Sequence, residues 1–379
     1  MFVGAVSSTS HSRDQSKVTR AAANQATIMV MPAESESTRG IVATVAEIEA
    51  AADEATLRAA VKRAQQVVGA ELARHMPTLA LAAGWSEAMR STVATAARLV
   101  ATTAEGPQPR WTWFVSGSVG RGEAVPGSDV ETLVALADDV DDEGKTHALT
   151  LAAEVHALLE ACGLQLDDNG VLASRLRFCR RDASWADGIE RWAAEPDLDR
   201  GVVMLGLLAD AWSVTETERH ERLRPHAIAA ARRHPIALKS MVQDATFVRA
   251  SIPSRLRIFA TQVDRADLKA AVIDPIVKIA RWGALSANSD ALTTMERLND
   301  AAAASVLETD DASSLRDCYV ALSRIRWRLR TQPWLAGTPV DDVVSMAELA
   351  PQERATLRTV SREVSGIRRK LNFLSSIPQ

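Results

Sequence analysis

The segment Phe114–Leu136 reads FVSGSVGRGEAVPGSDVETLVAL, and it decides the fold prediction. It joins two apolar runs through a corner rich in glycine. Short apolar runs bounded by turn residues are typical of buried strands. We therefore predict one strand over WTWFVS (111–116) and a second over VETLVAL (130–136). Trp111 and Trp113 alternate along the first strand, so both should brace it from the same side.

The corner between these strands has the composition of a phosphate cradle. Gly117 lets the backbone approach a ligand closely, and Ser118 beside it adds a hydroxyl donor. If a short helix starts after Ser116, its exposed N–H groups favour an anion as well. Arg121 supplies a guanidinium that either reaches phosphate or stabilises the local fold.

Asp129 and Glu131 lie two residues apart at the second strand. Side chains at that spacing share one face of a strand. Two neighbouring carboxylates repel each other unless a cation separates them, and Mg²⁺ binds both carboxylate and phosphate oxygens. We therefore predict that Asp129 and Glu131 bind Mg²⁺, with Mn²⁺ as the alternative ion. A metal site beside a phosphate cradle is the layout of metal-assisted nucleotidyl transfer.

Two other phosphate-binding motifs are missing from the sequence. There is no G-x-x-x-x-G-K-S/T, which excludes a P-loop. There is also no G-x-G-x-x-G followed by an acid some twenty residues later, which excludes the Rossmann fingerprint. A glycine-rich hairpin turn remains the alternative interpretation of GSVGRGE by itself. The acid pair that follows favours the functional interpretation.

The overall composition is that of an ordinary globular protein. The chain has 379 residues, 47% of them hydrophobic and 24% charged, with a formal net charge of −4. This charge argues against a nonspecific nucleic-acid binder and leaves a local basic groove as the alternative. No apolar run approaches the roughly 20 residues that span a bilayer. Cys162, Cys179 and Cys318 lack metal-type spacing and are expected as buried hydrophobes in a reducing compartment. We therefore expect a cytoplasmic protein without a signal peptide and without a membrane partner.

Alanine and leucine dominate the chain, whereas strand-forming residues are sparse, so we predict a predominantly helical α+β fold. Apolar residues at helical spacing predict one helix over about residues 45–76. Ser86 as an N-cap predicts a second helix that runs to Thr103. Further helices are predicted over 146–162 and in WADGIERWAAEP (185–196).

The later part of the chain gives weaker strand signals. DNGVLASRLRFCRR (168–181) is predicted to hold a strand, and VVMLGLLADAW (202–212) fits either a helix or a strand. Everything from about residue 220 onward is predicted helical, with a last helix over about 351–374.

These elements predict four segments along the chain. Residues 1–38 lack periodicity and are predicted to be disordered, with Met29 or Met31 as alternative starts. The other segments are N-terminal helices (39–104), a small mixed-sheet core (105–220) and a C-terminal helical bundle (221–379). We place the boundary between core and bundle near Glu221–Pro225.

The motif SGSVGRGEAVPGSDVET resembles the signature of the DNA polymerase beta-type nucleotidyltransferase superfamily. It is most similar to bacterial protein-uridylyltransferase-like proteins of nitrogen signalling, and to a nucleotidyltransferase family often fused to CBS or cyclic-nucleotide-binding domains. GPQPRWTWFVSGS resembles that family's lead-in, and WADGIERWAAEP with GLLADAWSV resembles its middle segment. DLKAAVIDPIVKIARWGALSANSDALTTMERL resembles its C-terminal helical domain. The resemblance spans about residues 45–374.

The resemblance implies roles for the corner residues. Gly117 and Ser118 would contact the nucleotide phosphates, and Asp129 and Glu131 would bind the metal. The family has two aspartates at the metal positions, so Glu131 is a departure that lengthens one ligand by a methylene.

The resemblance also implies a third acid that activates the attacking hydroxyl, for which Asp210 is the candidate and Asp187 a weaker one. Trp212 stands where the family has an arginine. The best-matching C-terminal stretch contains Lys269, Arg281 and Arg297, cations that would neutralise a triphosphate if the bundle faces the cleft. Solvated helix faces or intrahelical ion pairs are the alternative for each of these three residues.

The predicted function is Mg²⁺-dependent transfer of a nucleoside monophosphate from ATP or UTP to a hydroxyl acceptor, with release of pyrophosphate. The acceptor is expected on a regulatory protein in signal transduction. The alternative is a catalytically degenerate nucleotide-binding regulator that docks a protein partner. Glu131 and the missing arginine near Asp210 favour this alternative.

Overall fold

A four-stranded mixed sheet forms the centre of the first half of the chain in a computed structural model, which describes residues 36–215, 223–253 and 264–376. Its strand order is β5-β3-β1-β6, with β1 antiparallel to β3 and β6, and β3 parallel to β5. A separate parallel pair joins β2 to β4. The strands are β1 (Trp111–Val115), β2 (Asp129–Val130), β3 (Thr132–Leu136), β4 (Gln165–Leu166), β5 (Cys179–Arg181) and β6 (Trp212–Ser213).

Helices make up most of the described chain. In the first half they are α1 (Glu36–Glu49), α2 (Glu54–Ala73), α3 (Thr78–Thr103), the short α4 (Gly117–Gly120), α5 (Asp142–Ala161), α6 (Asp182–Ala194) and α7 (Gly201–Ala209). In the second half they are α8 (Leu223–Arg233), α9 (Pro235–Thr246), α10 (Asp274–Ser286), α11 (Thr294–Ala303), α12 (Thr309–Leu335) and α13 (Pro351–Ser376). The predominantly helical α+β prediction is confirmed.

Both faces of the sheet are covered, which explains why every residue of β1 and β3 is buried. Trp111, Trp113 and Val115 pack on the side of α3 and α5, whereas Phe114 packs on the opposite side with α6 and α7. The two tryptophans contact edge to face at 5.4 Å, as their alternation predicts. Because the sheet is held from both sides, the corner at its edge has a rigid support.

The C-terminal elements form a second hydrophobic core. It is built from α10 to α13 together with the end of α9. A ribbon of two antiparallel strands, β7 (Arg265–Asp267) and β8 (Val343–Ser345), lies beside a π-helical turn at Lys269–Ile273. The prediction that everything after residue 220 is helical is therefore wrong at this ribbon, since residues 265–267 and 343–345 lack the length or alternation that marks a strand.

The N-terminal helices divide differently from the sequence prediction. The helix predicted over 45–76 is two helices, because Asp53 caps α2 by accepting a hydrogen bond of 2.8 Å from the Thr56 N–H. Ser86 is not an N-cap but a buried residue inside α3. Its hydroxyl donates to the Ala82 carbonyl and accepts from the Ala124 N–H.

The other strand and helix predictions hold with shifted ends. The run at 202–212 resolves into α7 followed by β6, and the second predicted strand is interrupted at Glu131. All three cysteines are buried and free. No helix among the described residues is both long enough and apolar enough to cross a bilayer.

The predicted disordered segment 1–38 lies outside the described residues except for 36–38, which begin α1. The start of the predicted core–bundle boundary, at residues 221–222, is also outside them. Pro225 lies within α8. The four-segment division stays a prediction.

Candidate functional site

A cavity of about 1180 Å³ lies between the glycine corner and the C-terminal bundle. Corner residues line one wall, and residues of the π-helical turn and α10 line the other. The structure thus brings together around one space the residues singled out in the sequence, namely Gly117, Ser118, Arg121, Asp129, Glu131, Asp210, Lys269 and Arg281.

Gly117 is the point where the corner meets the acid pair. Its φ of +58° lies in the left-handed region, which favours glycine. A Cβ at this position would lie 2.4 Å from Glu131 Oε2 and 3.1 Å from Oε1. Any other residue would therefore displace the Glu131 carboxylate. The glycine bend and the acid pair share one edge of the cavity.

The two serines of the corner have different environments. The Ser116 hydroxyl donates a 2.7 Å hydrogen bond to the Leu207 carbonyl, so it anchors the end of β1 to α7. The Ser118 hydroxyl has no hydrogen-bond partner within the described part of the chain, and Ser118 lines the cavity. Ser118 is the corner hydroxyl that remains free to bind a ligand.

Arg90 of α3 holds the corner from behind, which the sequence did not indicate. Its guanidinium donates to the carbonyls of Val119 at 3.0 Å and Gly120 at 2.6 Å. It also stacks on the Trp212 ring at 4.4 Å. The position of α4 is therefore fixed by a helix that lies outside the predicted core.

At Glu131 the chain passes from the two-stranded sheet of β2 and β4 to the four-stranded sheet that contains β3. Its carbonyl accepts a hydrogen bond from the Ser116 N–H at 3.0 Å, and the next residue, Thr132, begins β3. The Glu131 Oε2 atom is buried and has no hydrogen-bond partner among the residues that the structure describes. Burial, together with the neighbouring Asp129 and Asp167 carboxylates, raises the pKa of Glu131 to about 7. The site is thus short of positive charge.

Asp167 is an acid of the site that the sequence analysis missed. It follows β4, and its N–H donates to the Val130 carbonyl at 3.3 Å, which places it beside Glu131. Its carboxylate accepts hydrogen bonds from the Val171 N–H at 2.8 Å and from the Asn169 amide at 3.1 Å. The sequence DDNG after the apolar Leu166 is the signal that marks this turn.

The acid pair fits a divalent cation that is bound partly by other oxygens. The partnerless Glu131 oxygen and the clustered carboxylates both favour a cation at Asp129 and Glu131. Within the described ranges, no group of three or more His, Cys, Asp or Glu side chains is arranged to hold a metal. Mg²⁺ commonly takes one or two protein carboxylates and completes its coordination with phosphate and water oxygens.

Asp210 lies at the centre of a buried ion cluster that joins the sheet to the bundle. Its carboxylate accepts hydrogen bonds from Arg281 Nε at 3.0 Å and Arg297 at 2.7 Å, and it also pairs with Arg121. Although burial opposes its ionisation, the Arg281, Arg121 and Arg297 guanidinium groups hold the pKa of Asp210 well below its usual range. Asp210 is therefore a counter-ion of three arginines, which argues against the base role predicted from sequence.

Arg121 and Arg281, the two arginines predicted to contact phosphate, both pair with Asp210. Arg121 also donates to Glu123 at 2.7 Å, which is the structural role left open in the sequence. Arg281 binds Asp210 through two nitrogens. Three guanidinium groups share Asp210, and Glu123 adds one more carboxylate, so the cluster keeps a positive charge beside the cavity that Arg121 and Arg281 line. Their contact with phosphate stays a prediction. Asp187, the weaker candidate acid, is exposed on α6.

Lys269 is the cation of this set that is not paired. It is exposed on the π-helical turn, lines the cavity and has no hydrogen bond or ion pair among the residues described. Its charge acts on Glu131 across the cavity and lowers the pKa of that carboxyl against the dominant effect of burial. Short π-helical turns are frequent at functional sites.

Arg330 of α12 connects the bundle to the segment that precedes the acid pair. Its guanidinium donates to the carbonyls of Pro126 at 2.8 Å and Gly127 at 2.9 Å, just before Asp129. It also pairs with Asp342 at 2.8 Å. The bundle therefore takes part in positioning the acid pair.

Family models match most of the chain around this cavity. Residues 62–199 match a family described as "Putative nucleotidyltransferase DUF294". Residues 235–374 match a family described as "Putative nucleotidyltransferase substrate binding domain". The two matches support a nucleotidyltransferase-like family. No curated protein matches the chain.

The two matched segments correspond to the two walls of the cavity. The first includes the corner, the acid pair and Asp167, and the second includes Lys269 and Arg281. Asp210, between the matched segments, pairs with arginines from both of them. Nucleotidyl transfer is thus supported as the general activity of the chain.

Proposed function

We propose that this protein transfers a nucleoside monophosphate from ATP or UTP to a hydroxyl group of an acceptor, with release of pyrophosphate. One observation carries the proposal. The carboxylate of Glu131 lies against Gly117, with one oxygen buried and unbonded, at the edge of a cavity that Ser118 also lines. A phosphate that contacts the corner would lie next to the acid pair.

Two groups of the chain are placed to bind the triphosphate. The Ser118 hydroxyl is a free donor on one wall, and the Lys269 ammonium is a free cation on the other. A ligand held between them would bridge the sheet and the bundle. A triphosphate suits these donors because its oxygens accept hydrogen bonds and its charge offsets the ammonium.

Asp129 and Glu131 are the residues that would hold Mg²⁺ or Mn²⁺. When bound, the ion neutralises charge on the phosphates and so makes the α-phosphorus easier to attack. The chain contributes the position of the two carboxylates, which Arg330 and the Glu131 backbone fix to the bundle and to β1. Asp167 adds negative charge beside Glu131, and this charge would make the binding of a cation more favourable.

The remaining contribution of the chain is positioning. The Asp210 cluster ties the end of α7 to α10 and α11 through two ion pairs and to Arg121 of the corner through a third, so the cavity walls keep a fixed separation. Holding two reactants in a suitable geometry supplies a large part of the rate in reactions of this kind. We infer that the acceptor hydroxyl belongs to a regulatory protein, as the resemblance of the corner motif to protein-uridylyltransferase-like proteins implies. A cavity of about 1180 Å³ has room for a side chain beside a nucleotide.

Substitution of Asp129 by Asn tests the proposal. The variant loses one metal ligand and keeps the shape of the side chain, so pyrophosphate release from ATP or UTP with Mg²⁺ should fall at least about 10²-fold. The assay uses labelled nucleotide, purified protein and cell extract as the source of acceptor. Asp187→Asn, an identical change on an exposed residue of α6, is the matched control and should keep wild-type turnover.

Two results would contradict transferase activity. Full metal-dependent turnover by Asp129→Asn would show that the site lies elsewhere. Tight nucleotide binding by the wild-type protein without pyrophosphate release would instead indicate a nucleotide-binding regulator.

A further inference from the structure

Most carboxylates along the cavity are already bound by other groups of the chain. Asp210 is held by three guanidinium groups. Asp342 accepts hydrogen bonds from Arg326 at 2.7 and 2.8 Å. Asp244 lies 2.7 Å from the Lys278 ammonium. Carboxylates that are fixed in this way are poor proton acceptors, because their lone pairs and charge are already used.

Carboxylates held by backbone or amide N–H groups are excluded for the same reason. Asp167 accepts two hydrogen bonds within its own turn. Asp267 accepts from the Ala270 N–H at 2.9 Å, and Asp341 accepts from the Val343 N–H at 3.0 Å.

Asp274 is different from these acids. It is the first residue of α10, directly after the π-helical turn, and it lines the cavity on the bundle wall. It is partly buried, and over the described ranges its carboxylate makes no hydrogen bond or ion pair. A π-helical turn shifts the register of the helix that follows, which is a common way to bring a side chain into a functional site.

The charged groups around Asp274 come from several elements. Lys269 of the π-helical turn, Lys278 of α10, Arg121 of the corner and Arg326 of α12 all act on its carboxylate. Burial nevertheless dominates and raises the pKa of Asp274 above its usual value. Lys269 also acts on Glu131, and Asp274, Lys269 and the acid pair all line the same cavity.

We propose that Asp274 is the general base for the acceptor hydroxyl, an inference that rests on the proposed nucleotidyl transfer. The acceptor oxygen forms a bond to the α-phosphorus while the bond from that phosphorus to the bridging β-phosphate oxygen breaks. Pyrophosphate leaves with the electrons of that bond. The hydroxyl proton passes to the Asp274 carboxylate, which later releases it to solvent.

This role explains why a carboxylate without a partner is kept in the bundle wall. A general base must lie within reach of the hydroxyl, and its lone pair must be free. It works best when its pKa approaches the working pH, which burial of Asp274 favours. The bundle would therefore supply a chemical group to the reaction as well as a surface for the acceptor.

The test compares Asp274→Asn with wild type, using Mg²⁺–ATP and Mg²⁺–UTP as donors and water as the simplest hydroxyl acceptor. We expect pyrophosphate release to fall about 10²- to 10⁴-fold in the variant. Nucleotide affinity, measured by equilibrium dialysis with Mg²⁺, should stay within about twofold, since Asn keeps the size of the side chain. Glu160→Gln removes a negative charge from the exposed rim of the same cavity and serves as the control.

The pH dependence separates a base from a residue that only supports the fold. Above neutral pH the rate of pyrophosphate release by wild type should not change with pH. The rate of Asp274→Asn should rise about tenfold per pH unit, because without a base the acceptor must first lose its proton to hydroxide in the solvent. If Asp274 only supports the fold, the folded variant should lose nucleotide affinity and keep the flat pH profile of wild type, and that result overturns the proposal.

The outcomes distinguish the inference from the proposed function. If wild type releases pyrophosphate and Asp274→Asn does so equally fast, with the same pH profile, Asp274 is not the base and nucleotidyl transfer stands. If wild type binds nucleotide but releases no pyrophosphate with any acceptor, nucleotidyl transfer and the base role both fall.

Discussion

Replacement of Gly117 by alanine tests the shared edge on which the site depends. The substitution adds one methyl group at a residue with a φ of +58°. Two separate effects follow from the structure. The backbone is strained, because a residue with a Cβ tolerates the left-handed region poorly, and the new Cβ meets the Glu131 carboxylate.

The magnitude of each effect can be worked out. A left-handed residue with a Cβ costs about 1–2 kcal/mol in the free energy of unfolding. The new Cβ would lie 2.4 Å from Glu131 Oε2, far inside van der Waals contact. Since that oxygen ends a flexible side chain, the carboxylate moves rather than the backbone. A displacement on the order of 1 Å at a reacting centre costs about 10²-fold in rate.

Gly337→Ala is the matched control for the strain. Gly337 has a φ of +69°, and a Cβ there would meet nothing within 4 Å. Both variants should therefore lose a similar free energy of unfolding in urea titrations. Only Gly117→Ala should lose pyrophosphate release, by about 10²-fold, together with the affinity for Mg²⁺ measured by calorimetry.

The reasoning fails if Gly117→Ala keeps wild-type affinity for Mg²⁺ and wild-type turnover while it folds. That result would mean that the position of the Glu131 carboxylate does not matter for the activity. Equal losses of activity in Gly117→Ala and Gly337→Ala would also refute it, because the loss would then follow stability alone.

Two further predictions concern buried charge. The pKa of Glu131 is about 7 in the folded protein and near the ordinary 4.5 in the unfolded chain, so the unfolded chain releases the proton first as pH rises. The free energy of unfolding of the metal-free protein should therefore fall by up to about 3 kcal/mol between these two pH values. Glu131→Gln should therefore unfold at a higher temperature than wild type at about pH 8 and at the same temperature at about pH 4, and a constant difference would contradict the burial argument. Arg297→Met should lower the free energy of unfolding by about 3–5 kcal/mol, because it leaves Asp210 and the Ala209 carbonyl underpaired. Arg233→Met, which removes an exposed pair with Glu190, should cost under about 1 kcal/mol, and equal losses in the two urea titrations would refute the role of the cluster.

The sequence was informative where local physics decides the structure. The alternation of Trp111 and Trp113 predicts that both pack on one side of β1, and the corner that follows needs glycine for both its backbone angle and its contact with Glu131. Asp129 and Glu131 line one cavity as predicted from their spacing, although the strand assumed for that prediction is interrupted at Glu131. These features depend on residues that are close together in the chain.

The sequence was uninformative where distant segments meet. Asp210 lies in an apolar run and resembles a catalytic acid, yet three arginines, two of them from α10 and α11, surround it. Asp167 and Asp274 stand out only once β4 is paired with β2 and the π-helical turn faces the corner. The partners of a charged residue depend on tertiary packing, which no local pattern encodes.

The hydrogen bonds from Arg330 to the Pro126 and Gly127 carbonyls have a consequence for how this chain can evolve. Every residue offers a backbone carbonyl, so side-chain changes at residues 126 and 127 leave these acceptors in place. The contact instead depends on an arginine at position 330, because no shorter side chain has the same reach and two donors. A hybrid whose C-terminal segment lacks that arginine should therefore hold the acid pair less firmly.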